Sequence, residues 1–70
     1  MPEREWFRWC VACTIKHLLL AEGHLTEAVQ RAVRNDDDKM VKTYSLLLKD
    51  LASIRKRAED IYLSEELLCN

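Results

Sequence analysis

Met40, Tyr44, Leu47, Leu51, Ile54, Ala58, Ile61 and Leu68 advance along the second half of the chain in steps of four and three residues, and Glu65 alone interrupts the series. Residues so spaced lie on one stripe of a long helix, and a sustained 4-3 alternation is the seam of two helices packed side by side. Such a stripe needs a second helix to cover it. The first half of the chain supplies one, because Arg4, Arg8, Val11, Ile15, Leu18, Glu22, Leu25, Val29 and Ala32 follow the same alternation.

The ends of both helices are written in local chemistry. Pro2 suits a first helical position, and Glu3 and Glu5 come next, at the positive end of the helix dipole. Arg31 and Arg34 put positive charge in a last turn, Asn35 suits a left-handed cap, and Asp36 or Asp37 can cap the N-terminus of the second helix. Asp38 and Lys42 form an i,i+4 pair at the start of that helix. These signals predict an all-α fold in one domain of residues 1 to 70: an antiparallel, coiled-coil-like hairpin with helices over about 3 to 34 and 38 to 67 and a turn at 35 to 37. Gly23 costs a helix interior about 1 kcal/mol relative to Ala. A continuous first helix is expected there, with a kink as the alternative.

A three-residue connection forces antiparallel neighbours, so seam residues pair at a nearly constant sum of their numbers. Ala32 then meets Met40, Val29 meets Tyr44, Leu25 meets Leu47, Glu22 meets Leu51, Leu18 meets Ile54, Ile15 meets Ala58 and Val11 meets Ile61. Continued outward, the same register sets Arg8 beside Glu65 and Arg4 beside Leu68. Each helix is about 45 Å long at about 1.5 Å per residue, which makes a thin rod.

Bulk properties agree and narrow the function. The chain has 70 residues, 33% of them charged and 49% hydrophobic, with one Gly and one Pro. That is the composition of a helical protein, and one too short to bury much apolar surface without help. Eleven basic and twelve acidic residues are interspersed for a net charge of −1, which leaves no footprint for nucleic acid or an anionic membrane. The basic run Arg55, Lys56, Arg57 is followed by Glu59 and Asp60 and reads as a solvated helix face. Three cysteines inside helical sequence, an odd number, fit a reducing cytoplasm better than a disulfide scaffold. The uncharged run at residues 9 to 15 is too short to span a bilayer and lacks the small-residue cleavage site of a leader.

The faces turned away from the seam differ in kind. On the second helix that face carries Lys42, Ser45, Lys49, Ser53, Lys56 and Asp60, turning apolar at Leu63 and Leu67. On the first it carries Trp6, Trp9, Cys10, Cys13, His17, Leu20 and His24. Trp6, Trp9, Cys10, Cys13, His17 and Leu20, joined by Leu63 and Leu67 at the same end, form the expected protein-binding surface, since tryptophan anchors are enriched at interfaces. Docking on another protein, self-association and a folding back of a kinked first helix are the three ways to cover it.

Other chemistries are weaker. Cys10, Cys13 and His17 share a helical face and zinc favours such ligands, but Cys10 and His17 are separated by about 10 Å of axis and a fourth ligand is missing. Cys10 and Cys13 match a redox CxxC spacing, yet they lie two turns into a helix rather than at its N-terminus. Asn35 to Asp38 lacks the alternating ligands and closing Glu of a calcium loop. No catalytic residue, metal or cofactor is expected.

Residues 38 to 54 carry an acidic start, the aromatic Tyr44, and a segment Lys49-x-Leu51-x-Ser53-Ile54. This stretch resembles the second helix of the small YscE/PscE/SsaE-type proteins of type III secretion, and the likeness extends loosely over residues 18 to 63. The resemblance implies a cytoplasmic, non-enzymatic co-chaperone that pairs with a tetratricopeptide-like chaperone and keeps the needle subunit unpolymerised, a virulence-associated protein-transport role. The aromatic, cysteine-bearing start from Trp6 to Cys13 and the triple-Asp turn depart from that family's pattern.

Overall fold

The computed structural model describes the backbone of residues 3 to 69 and the side chains of residues 3 to 64. Two helices, α1 (Glu3–Arg34) and α2 (Asp38–Cys69), run antiparallel and are joined by the three residues 35 to 37. Glu3 and Glu5 occupy the first turn of α1 and Arg31 and Arg34 its last, each charge favourable to the dipole at its end. α1 passes through Gly23 unbroken, so the first helix does not fold back on itself.

The turn is built from two interlocking caps. The Asp36 N–H donates to the Val33 carbonyl at 3.1 Å and the Asp37 N–H to the Ala32 carbonyl at 2.9 Å, which is the Schellman pair that closes a helix C-terminus. The left-handed residue this motif requires is Asp36, at φ 55°, rather than Asn35, because the Asn35 N–H still donates to the Arg31 carbonyl at 3.1 Å and so continues the helical hydrogen-bond ladder for one residue past Arg34. Asp37 then starts α2: its carboxylate oxygen accepts the Met40 N–H at 3.1 Å and its carbonyl the Val41 N–H at 3.0 Å. It is the N-cap.

The product is a rod of 51 × 17 × 13 Å with a radius of gyration of 15.9 Å, against about 11 Å for a compact domain of this length. Among the described residues Ala32 and Ala58 are the buried ones. On α1 the seam follows the expected stripe from Arg8 inward, with Arg8, Val11, Ile15, Leu18, Glu22, Leu25, Val29 and Ala32 all buried or half-buried, while Arg4, expected at its outer end, is exposed.

On α2 the seam is rotated from the expected stripe. Tyr44, Leu51 and Ala58 lie in it, but Leu47, Ile54 and Ile61 are 47%, 48% and 54% exposed, while Val41, Leu48, Arg55 and Tyr62 are half-buried. The observed series 41, 44, 48, 51, 55, 58, 62 is still a 4-3 alternation. The physical reason is polar pairing across the rod. Arg55 Nε donates to Glu22 Oε2 at 2.5 Å and Arg55 Nη1 to Glu59 Oε1 at 2.5 Å. Near the open end, Arg8 lies over the Tyr62 ring, its Cζ 4.8 Å from the centroid, with Nη2 donating weakly to the phenol oxygen at 3.4 Å. The seam of α1 contains an arginine and a glutamate that need partners, and this rotation of α2 supplies them. The expected contacts of Arg8 with Glu65 and of Arg4 with Leu68 lie outside the described side chains.

Candidate protein-docking surface

The N-terminal half of α1 presents its aromatic residues outward because the seam takes Arg8, Val11 and Ile15, and at 100° per residue positions 6, 9, 13 and 20 fall away from it. Trp6, Trp9 and Leu20 are exposed, as are Leu63 of α2 and His17. Cys10 and Cys13 are free and half-buried, so they underlie this surface rather than project from it. Leu67, expected in the same patch, lies outside the described side chains.

Two further residues extend the surface beyond the expected set. Phe7 packs edge-to-face on Trp6, centroids 5.2 Å apart and planes at 65°, the geometry aromatic quadrupoles favour. Leu19, one residue beyond the seam residue Leu18, is also exposed. Beside Trp9 the rod has a small cleft of about 300 Å³ lined by Glu5, Arg8, Trp9, Ala12 and Tyr62. The aromatic patch therefore has relief, with Glu5 and Arg8 as the charged residues of the cleft lining.

A larger groove of about 660 Å³ lies at the turn, where His24, Glu27, Arg31, Asp37, Met40 and Tyr44 line its walls. Its charges are of both signs, Glu27 and Asp37 beside Arg31 and Arg34. Among the described residues no group of three or more His, Cys, Asp or Glu is placed to hold a metal ion, and Cys10, Cys13 and His17 are not drawn together. No helix among them is long and apolar enough to cross a membrane.

The Arg55 guanidinium is held by two carboxylates, Glu22 across the seam and Glu59 on its own helix. The hydrogen bonds it donates to Glu22 first and Glu59 second raise its pKa above the ordinary arginine value. These three residues clamp the middle of the hairpin. In the sequence Arg55 reads as part of a solvated basic run; the signal for its inward role is its i,i+4 spacing from Glu59 together with the acidic Glu22 in the facing stripe.

Comparison with protein-family models, with characterised proteins and with solved structures returns no match for this chain.

Proposed function

We propose that this protein is a small non-enzymatic adaptor that docks on another protein through the exposed aromatic face of α1. The observation that carries the reading is the cluster of Trp6, Trp9 and Leu20 on one outward face, with Leu63 on α2, in a rod where none of the described large side chains is fully buried. Trp6 and Trp9 lie outside the hairpin's own seam and are 48% and 58% exposed, and such anchors account for much of the binding energy where interfaces bury them. The chain also exposes 5718 Å², where a compact protein of its mass exposes about 4,500 Å². The roughly 1,200 Å² excess exceeds the share of about 800 Å² that one partner contributes to a standard interface.

The resemblance of residues 38 to 54 to the YscE/PscE/SsaE-type proteins points to the kind of partner: a tetratricopeptide-like chaperone in the cytoplasm, and through it a needle subunit held unpolymerised before export. A filament subunit needs its assembly surface occupied, and a short hairpin suffices to stabilise the larger chaperone that occupies it. The test is copurification from the native cell beside a Trp9→Ser, Leu20→Ser variant. A helical-repeat chaperone captured by the native chain and lost with the variant, whose helical signal is unchanged, is the expected result. Equal capture by both would end the assignment to this face.

A further inference from the structure

The rotation of α2 leaves Met40, Leu47, Ile54 and Ile61 outside the seam, and these four residues recur every seventh position. All four are exposed. A spacing of seven traces a nearly straight line along a helix and is a packing stripe of its own. Beside it on α1, on the same side of an antiparallel pair, come the half-buried Ala21 and Ala28. Small residues there leave room for a second helical body to approach.

We infer that this flank is a homodimer interface, in which α2 packs antiparallel on α2 of a second copy about a two-fold axis near Ile54. The argument for a second copy rather than a foreign helix is charge symmetry. Flanking the stripe on its open side are Asp50 and Arg57, both exposed, of opposite sign and placed almost evenly about Ile54. A two-fold axis there brings Leu47 against Ile61 of the second copy, Ile54 against its own equivalent, and each Asp50 beside the other copy's Arg57. Both ion pairs form at once, as an isologous interface requires. Lys42, Lys49 and Lys56 keep to the far side of the helix, so no like charges meet.

This inference does not rest on the adaptor reading, which uses a different face. Sedimentation equilibrium of the full chain tests it. The native chain is expected at twice its 8.2 kDa and Ile54→Asp at the mass of one chain, with helical content unchanged because Ile54 is outside the seam. Asp50→Arg, which sets like charges against each other, is expected to dissociate the dimer, and Asp50→Arg with Arg57→Asp to restore it. A native chain at 8.2 kDa overturns the inference. So does an Ile54→Asp variant that keeps the doubled mass, a charge exchange that fails to restore it, or dissociation by Trp9→Ser, Leu20→Ser in place of Ile54→Asp.

Discussion

Arg55 of α2 reaches across the seam to Glu22 of α1, Nε to Oε2 at 2.5 Å, while holding Glu59 of its own helix at the same distance. Replacing Glu22 alone with Leu leaves a half-buried guanidinium facing apolar side chains, whereas replacing both residues with Leu removes the charge together with its partner. Thermal unfolding followed by circular dichroism should place Glu22→Leu below the native chain, with Glu22→Leu, Arg55→Leu recovering most of the loss. Equal destabilisation by the single and double variants would show that the pair does not set the rotation of α2. The pH dependence has a definite sign. Because Arg55 is raised in the folded state, its contribution is complete below the unfolded value and fades only as pH rises through the still higher folded one, at strongly alkaline pH. Stability should therefore gain no slope from this arginine between about pH 5 and 10.

Gly23 sits in unbroken helix with nothing within 4 Å of an added Cβ. Gly23→Ala should stabilise the hairpin by about 1 kcal/mol through helix propensity and lower unfolded-state entropy. Urea titration would read this as a higher midpoint at unchanged slope.

Asp36 holds a left-handed conformation without being glycine. Asp36→Gly should stabilise by about 1 kcal/mol, while Asp37→Ala should cost about 1 kcal/mol by removing the cap from the Met40 N–H. Opposite signs at adjacent aspartates in one denaturation series would establish the double cap.

Leu48 is in the seam and Leu47 beside it. Leu48→Ala and Leu51→Ala should each cost about 1 to 3 kcal/mol, a range below that of fully buried leucines because both side chains keep some solvent contact. Leu47→Ala should cost less in the monomer, and Ser53→Ala nearly nothing. A larger loss at Leu47 than at Leu48, measured at concentrations too low for association, would restore the unrotated stripe.

Both helices, their ends and the reversal between them were legible because caps, dipole-favoured charges and 4-3 spacing act within a few residues. The rotation of α2 was not. The stripes 40, 44, 47, 51, 54, 58, 61 and 41, 44, 48, 51, 55, 58, 62 share Tyr44, Leu51 and Ala58, and hydrophobicity favours the first because it puts Leu47, Ile54 and Ile61 inward. The second is favoured by the need of Glu22 and Arg8 for partners, and that information is carried by residues more than thirty positions away in the chain. The aromatic face of α1 was legible for the opposite reason. Trp6, Trp9 and Leu20 stand out on a helical wheel whichever side of α2 faces inward.

The double cap at Asp36 and Asp37 also gives the hairpin a direction of assembly. Contacts near the turn close loops of a few residues, whereas the Arg8 and Tyr62 contact joins positions 54 apart, and loop-closure entropy rises with that separation. Once the reversal has formed, each further contact closes only a short increment, so the helices zip outward from residues 35 to 37 and the aromatic end of α1 is the last part of the hairpin to be held in place.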